Sequence, residues 1–209
     1  MIMATQPQPE GRTRKQEILE VATRLFAERG YEGASMNDVA ERVGMRKASL
    51  FYHFATKDAL YEAVLDRLVA SFREPLEAIY QSSGSYAERL DVLTDTLVTA
   101  LGARPFAARL LLREAMDWGP VIRGQLLERI VLVLEAGAAW VRAGQREGEF
   151  VEGDAKHMVL SAIGLHLVPF AIAQVVERYT GTDAFSPQFV AARRVEVRRQ
   201  ARNLHIARP

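Results

Sequence analysis

The chain has 209 residues, of which 49% are hydrophobic and 25% are charged, so it is long enough for a globular body with a buried core. The formal net charge is only +1, which means that any surface for a polyanion has to be local. Cysteine is absent. This excludes disulfide frameworks, Cys-ligated metal sites and thiol nucleophiles, and it is compatible with a reducing, cytoplasmic location.

The N-terminus and one internal segment raise the question of targeting or membrane insertion. Residues 1–11 begin with too short an apolar run for a signal peptide, and we expect a flexible arm there. Met158 to Val176 contains no Asp, Glu, Lys or Arg, and approaches the ~20 residues that a membrane span requires. The polar His166 and the helix-breaking Pro169 inside it favour a helix buried on two sides of a protein core, so we expect no membrane partner.

Helix signals recur along the chain, and no segment alternates with a period of two, so the sequence predicts an all-α protein with about nine helices. Predicted capping residues open several of them: Thr13, Ser35, Thr56, Ser85, Asp154 and Ser186. A short third helix covers 47–54, a sixth starts at Arg104-Pro105, and a seventh runs to about Glu147. Pro75 is expected to kink or end the first part of the fourth helix, and Pro169 to kink the eighth.

This organisation predicts two domains. Residues 12–56 hold three short helices, and residues 57–209 form a larger helical domain whose first helix, 57–81, connects the two. The polar run QSSGS separates that connector from the later helices.

The segment 46–54 has the pattern of a helix with two different faces. Leu50 and Phe54 are four residues apart and are expected to be buried with Val39 and Val43 of the preceding helix, while Gly44 supplies the turn. The opposite side carries Lys, Ser, Tyr and His, and no acid lies between residues 43 and 57. This division of duties is what a helix-turn-helix needs to place its second helix in the DNA major groove.

The exposed side chains suggest two roles. Groups that can donate to guanine or phosphate, or touch a thymine methyl, are the candidate base readers: Arg46, Lys47, Ser49 and Phe51. Groups better suited to phosphate, which fix the docking register, are Ser35, Tyr52, His53 and Lys57. The backbone N–H groups at the start of the second helix add a further place for phosphate, since the helix dipole is positive there.

The ordered set Ser35, Val39-Ala40, Gly44, the run 49–54, Thr56-Lys57-Asp58 and Leu60 closely resembles the TetR family of transcriptional regulators. The resemblance covers about the first quarter of the chain, and implies a homodimeric, usually repressing protein that a small molecule releases from its operator. Three positions depart from the family pattern. Phe51 replaces a frequent tyrosine, Arg46 a frequent capping Ser or Thr, and Ala48 a frequent glycine. The first two change the expected contacts and operator sequence but not the docking mode.

The larger domain carries none of the enzymatic motifs sought: no GxSxG, no Gly-rich phosphate loop, no HExxH. We therefore expect no enzyme and no cofactor. Aromatic and polar residues within apolar helices are typical of a site for a small, largely apolar effector. The candidate pocket residues are Phe106, Leu110, Met116, Trp118, Trp140, His166 and Phe170. Plain core packing is the alternative for each of them.

The eighth and ninth predicted helices are the candidate homodimer surface, because one small domain cannot bury an uncharged helix alone. On the ninth, Val190, Arg194, Val197, Ala201 and Leu204 form a stripe. The nearby arginines, from Arg193 to Arg208, favour a solvated face with ion pairs over a second DNA site. The partners expected are a double-stranded operator, an effector and a second copy of the chain. An activator, an effector-independent regulator, and a helical enzyme or lipid carrier are the alternatives.

Overall fold

The computed structural model describes residues 13–117, 124 and 126–207. These ranges contain ten α-helices. They contain no strand, and their one β-bridge is an isolated pair between Phe150 and Ile206. The helices are α1 (Arg14–Gly33), α2 (Met36–Val43), α3 (Lys47–His53), α4 (Lys57–Gln81), α5 (Tyr86–Gly102), α6 (Ala107–Asp117), α7 (Leu127–Arg146), α8 (Ala155–Ala171), α9 (Ala173–Thr180) and α10 (Pro187–His205). The all-α prediction is confirmed. The predicted arm at 1–11 lies outside the described residues.

Side-chain caps open the helices at the positions that the sequence predicted. Capping boxes link Thr13 to Gln16, Ser35 to Asp38 and Ser85 to Glu88. Single caps are provided by the side chains of Thr56, Asp154 and Ser186. Each such cap pairs backbone N–H groups that have no partner within the first helical turn.

Proline changes the helix count in one place and not in another. α4 continues through Pro75, whereas α8 ends two residues after Pro169 and α9 leaves at an angle of 76°. The predicted kink is therefore a complete break, and it raises the count from about nine to ten. Of the described helices, none is by itself long and apolar enough to cross a membrane, although the bent pair of α8 and α9 passes that test by length and composition when taken together.

The chain divides into two compact units between Val64 and Leu65, within α4. The sequence placed the boundary earlier, at residues 56 and 57. The structure instead assigns the first two turns of α4 to the N-terminal unit, because Leu60, Tyr61 and Val64 are buried there.

The N-terminal unit is a three-helix arrangement completed by those first turns of α4. α1 packs on α2 and α2 packs on α3. Gly44 ends α2 in the left-handed conformation (φ 68°), which an L side chain adopts only with strain. Val39, Val43, Leu50 and Phe54 are all buried, as the sequence predicted.

The C-terminal unit is built around α5 and α8. α5 packs against α10 and α8, while α6 and α7 also pack on α8. One cluster of aromatic rings lies in this core: Tyr80 stacks on Trp140 with centroids 5.3 Å apart, and Phe150 contacts both Trp140 and Tyr86 edge to face. The α8 helix is therefore in contact with several neighbours, but only Ala155, His166 and Phe170 of it are buried, so this packing leaves part of its apolar surface exposed.

Most of the arginines on α10 are paired with acids. Arg194 and Arg198 both contact Asp95 of α5, and Arg202 contacts Asp91. Burial by itself would raise the pKa of Asp95, but the two arginines lower it overall. Arg199 pairs with Glu196 on its own helix. The prediction of a face with ion pairs is confirmed for these residues, while Arg208 lies outside the described ones.

Arg193 has a different partner, which the sequence did not predict. Pro169 has no N–H, so the carbonyl of Leu165, four residues earlier in α8, cannot receive its usual helical hydrogen bond. The guanidinium of Arg193 donates to that carbonyl over 2.7 Å. Burial lowers the pKa of Arg193. α10 thus supplies the donor that the proline removed from α8.

The contact of α5 with α10 gives a stability prediction at Gly102. A Cβ at this position would lie 2.5 Å from Cγ2 of Val190, so Gly102→Ala forces the two helices apart or moves Val190. We expect a loss of about 1–3 kcal/mol in the free energy of unfolding, measured by urea denaturation at fixed protein concentration.

The double variant Gly102→Ala with Val190→Ala is the control, since it removes the methyl groups that collide with the new Cβ. It is expected to lose less than the sum of the two single variants. Additive losses would show that the close approach at Gly102 does not limit this contact.

Candidate nucleic-acid interface and ligand cavity

The turn and first residues of α3 present the polar groups that the sequence singled out. Arg46 occupies the N-cap position without making a side-chain cap, so its guanidinium is not used to begin the helix. Lys47, Ser49 and Tyr52 are exposed along with Arg46, and Tyr52 reaches 88%. Because Leu50 holds the other side of α3 in the core, these groups share the outward face of a short helix.

Phe51 and His53 complete this face. The Phe51 ring is 39% exposed, and the Lys47 ammonium lies 5.8 Å from its centroid. His53 is half-buried, with its ring edge-on to that of Tyr52. The structure therefore brings together Arg46, Lys47, Ser49, Phe51, Tyr52 and His53 within one turn and one helix.

Ser35 is exposed at the start of α2, but its hydroxyl is already hydrogen-bonded within the protein. It caps the helix by accepting from the N–H of Asp38, and it donates to the Asp38 carboxylate. The hydroxyl and the backbone N–H of Ser35 both donate to the Asp38 carboxylate, and with Arg29 3.0 Å away they lower the pKa of Asp38. A phosphate at this end of α2 would therefore meet the Ser35 hydroxyl in a fixed orientation, next to a carboxylate.

Lys57 lies at the first residue of α4, where its ammonium stands 4.1 Å from the centroid of the Tyr31 ring. The Tyr31 hydroxyl donates to the carboxylate of Asp58. Tyr31 in turn contacts the rings of Phe26 and Tyr61. The end of α1 is thereby fastened to the start of α4, and the position of Lys57 is set by this contact. Sequence reasoning missed Tyr31 and Asp58, which are separated by 27 positions.

The C-terminal unit contains a cavity of about 360 Å³. This volume lies at the lower end of the range of about 300–1,000 Å³ for small-molecule sites. α4, α5, α6, α7, α8 and the end of α10 contribute lining residues. The lining side chains are mostly Leu, Val, Ile and aromatic residues, among them Phe72, Leu76, Leu93, Leu97, Leu111, Val133, Phe150, Ile163 and Leu167.

Of the pocket residues predicted from the sequence, the structure places Trp140 and His166 in the cavity lining. It does not place Phe106, Leu110, Met116 or Phe170 there. Leu110 is fully buried elsewhere, Phe170 packs with Val98, Leu101 and Val197, and Met116 is 81% exposed because its side of α6 faces outward. Trp118 lies outside the described residues.

The polar groups of the cavity are few. Tyr80, Trp140, His166 and His205 belong to the lining, together with the thioether of Met158. Burial raises the pKa of Tyr80 to about 12 and lowers the pKa of both histidines, so these groups are uncharged near neutral pH. Among the residues that the structure describes, no cluster of His, Asp or Glu is arranged to hold a metal ion.

The walls formed by α4 and α5 were also missed. Their apolar residues recur at helical spacing, and such a pattern looks the same whether a side chain lines a cavity or fills a core. Tyr80 could have indicated that α4 lines a cavity, because a tyrosine near the end of an apolar helix brings a polar group into the interior.

Comparisons with known proteins agree with this architecture. The family model described as "Bacterial regulatory proteins, tetR family" matches residues 18–64. The HTH-type transcriptional regulator UidR of Escherichia coli strain K12 is 29% identical over 180 residues, which cover 83% of this chain and 85% of UidR.

Two solved structures have the same fold. A TetR-family regulator from Shewanella sp. PV-4 is 24% identical and superposes with a TM-score of 0.68 over 94% of this chain and all of its own. AibR, solved with isovaleryl coenzyme A and operator DNA, is 20% identical and gives a TM-score of 0.70 over 92% of this chain and 98% of its own. These two structures show the fold. The match of residues 18–64 to the family model, together with the likeness to UidR over most of both chains, identifies the chain as a transcriptional regulator of the TetR family.

Proposed function

We propose that this regulator is a homodimeric repressor that binds a pseudo-palindromic operator and leaves it when a small, largely apolar molecule occupies the cavity of the C-terminal unit. It acts where the chromosome is, in the cytoplasm, and it catalyses no reaction. The observation that carries the proposal is the position of α4. Its first turns belong to the core of the DNA-binding unit, and its later turns supply Phe72, Leu76 and Tyr80 to the cavity.

The outward face of α3 supports the DNA contacts. In the helix-turn-helix docking mode, the first turn of the second helix reaches base edges, and this is where Arg46, Lys47 and Ser49 stand. Tyr52, His53 and Lys57 come at the far end of α3 and the start of α4, where they suit phosphate contacts. The start of α2 provides a further phosphate position through the N–H groups of its first turn, while the hydroxyl and N–H of Ser35 donate to Asp38.

The ligand response is supported by the cavity and by a relative. AibR was solved in complex with isovaleryl coenzyme A and operator DNA, so one protein of this fold accommodates both kinds of partner. For release, the effector must bind the conformation of α4 that does not fit the operator more tightly than the one that does.

A second copy of the chain is needed to read two half-sites about 34–36 Å apart. The outer surfaces of α8 and α9 offer a contact, since both carry large apolar side chains that remain exposed: Leu160, Val168, Ile172, Val175 and Tyr179. On α10 the structure changes the expected surface. Val197 and Ala201 are buried within the chain and Arg194 pairs with Asp95, which leaves Val195 and Leu204 on the exposed side.

An activator fits the same geometry and differs only in the effect of operator binding on transcription. A single-round transcription assay on a promoter that contains the operator separates the two, because a repressor lowers the transcript yield and an effector restores it. A regulator without an effector would bind the operator equally with and without cavity ligands. A helical enzyme or lipid carrier would not require the DNA-facing side chains at all.

The DNA contacts give the next prediction. Operator duplexes are selected from a random library with the full-length protein, and affinities are then measured by fluorescence anisotropy over a series of salt concentrations. Lys47→Ala is expected to weaken operator binding about 5- to 150-fold. If Lys47 reads a guanine, the variant also loses discrimination between operator sequences; if it binds a phosphate, the slope of log affinity against log salt falls by about one.

Two further variants test whether this loss comes from the proposed DNA contacts. Tyr52→Ala is expected to weaken binding to all operator variants alike, since phosphate contacts carry no sequence information. Arg146→Ala is the control, because it removes one positive charge from an exposed residue in the last turn of α7, outside both proposed contacts. Unchanged affinity of Lys47→Ala and Tyr52→Ala, or an equal loss with Arg146→Ala, would contradict the proposed interface.

The dimer surface is tested by placing a charge on it. Leu160→Asp puts a carboxylate on an α8 residue that is 55% exposed, where a second copy would have to bury it. We expect analytical ultracentrifugation to show a shift from dimer towards monomer, together with weaker operator binding.

Val92→Asp on α5 is the matched control, since its side chain is 53% exposed and lies on a helix outside the proposed contact. A monomeric wild-type protein would contradict the proposed homodimer. A dimer that tolerates Leu160→Asp as well as Val92→Asp would place the interface elsewhere.

A further inference from the structure

Among the described residues that line the cavity there is no Lys, Arg, Asp or Glu. A charged ligand group would therefore lose its hydration without gaining an ionic partner, and an unpaired buried charge is strongly disfavoured. This argues against carboxylates, phosphates and phosphate-bearing thioesters as ligands of this chain.

Aromatic rings can also hold a cation, so that possibility has to be weighed. Here the Tyr80 and Trp140 rings are stacked on each other, and Phe150 lies edge-on to Trp140 at 4.9 Å. The guanidinium of Arg89 already lies 4.0 Å from the centroid of Tyr86 and 5.8 Å from that of Trp140. A second cation at this cluster would be repelled by Arg89 and would find ring faces already covered.

His166 is the polar lining residue whose state the structure defines best. It is only 4% exposed, and its Nδ1 lies 2.7 Å from the carbonyl oxygen of Ala162. A carbonyl only accepts, so Nδ1 carries the hydrogen and donates it. Burial lowers the pKa of His166, which keeps the ring neutral with a single N–H. Nε2 is then an acceptor.

That acceptor has no partner. Nε2 of His166 is buried without a hydrogen bond to any described residue, and the same is true of the indole N–H of Trp140, which can only donate. Buried polar groups are nearly always paired in folded proteins. Two complementary unpaired groups, both on residues of one apolar cavity, point to a ligand that pairs them.

We infer that the cavity binds an electrically neutral, largely apolar molecule through a ligand hydroxyl or N–H that donates to Nε2 of His166 and an acceptor oxygen that receives the indole N–H of Trp140. The role of this ligand as an effector rests on the proposed function. The predicted binding contacts do not, because they can be tested whether or not the ligand changes the affinity for DNA.

The test uses four probes with the same ten-carbon chain and different head groups: 1-decanol, decyl methyl ether, decanoate and decyltrimethylammonium. Binding to the full-length protein is measured by isothermal titration calorimetry. The alcohol is expected to bind best, and the ether about tenfold more weakly because it cannot donate to His166. Both charged probes are expected to bind more weakly than the ether.

Two variants connect the preference to the named atoms. His166→Phe keeps a ring of similar size but removes the acceptor, so it should bind alcohol and ether with affinities within about twofold of each other. Trp140→Phe removes the indole N–H and should weaken the alcohol about tenfold. Circular dichroism and the mass of the assembled protein check that each variant folds, and either variant alone suffices if the other does not.

Several results would overturn the inference: equal binding of alcohol and ether to the wild type, tightest binding of a charged probe, no binding of any probe, or a preference that survives His166→Phe. Operator binding is measured in parallel with saturating alcohol. If the alcohol binds with the expected preference but leaves operator affinity unchanged, the ligand chemistry stands and effector-driven release fails. If operator affinity falls without the preference, release stands and the ligand assignment fails.

Discussion

The rest of this protein depends on one constraint: the single helix α4 must supply side chains to the core of each of the two units. Leu60, Tyr61 and Val64 are buried in the N-terminal unit, and Phe72 and Tyr80 line the cavity of the C-terminal unit. Pro75 removes one hydrogen bond from the helix between these last two residues but does not end it. Any rearrangement of the cavity wall that moves α4 therefore acts on a helix that also belongs to the DNA-binding core.

The second constraint concerns α8, which is broken and repaired by side chains. Pro169 leaves the Leu165 carbonyl without its helical donor, and Arg193 of α10 supplies one. His166, the next residue, makes a local hydrogen bond, in which its Nδ1–H donates to the carbonyl of Ala162 one turn earlier. The same short segment thus contacts α10 and fixes the tautomer of a histidine that lines the cavity. With an N–H at position 169, the Leu165 carbonyl would have had its helical donor without Arg193.

Local signals in the sequence predicted much of the fold. Caps at Ser35 and Ser85 and the left-handed Gly44 act within one or two turns, so their residues are neighbours in the chain and their pattern is sufficient to define the element. The helix-turn-helix and its exposed face could be predicted from the same local rules. The cavity could not, because its walls come from helices far apart in sequence, and a Leu that lines a void is indistinguishable from one that fills a core. Met116 and Phe170 were misplaced for this reason, whereas Trp140 and His166 carry polar atoms that a core does not readily accept.

The energetic requirements of the proposed switch match what the cavity can supply. A coupling of about 1–3 kcal/mol between two sites is typical, and a ligand provides it only through contacts that differ between two conformations. Pairing one buried donor or acceptor is worth about 1–3 kcal/mol relative to leaving it unmade, and each buried methylene adds about 0.8 kcal/mol. One hydrogen bond to His166 and a few methylenes against Phe72 and Leu76 are therefore enough, provided that they form in only one position of α4. The cavity needs no ionic contact to achieve this, and the described residues of its lining offer none.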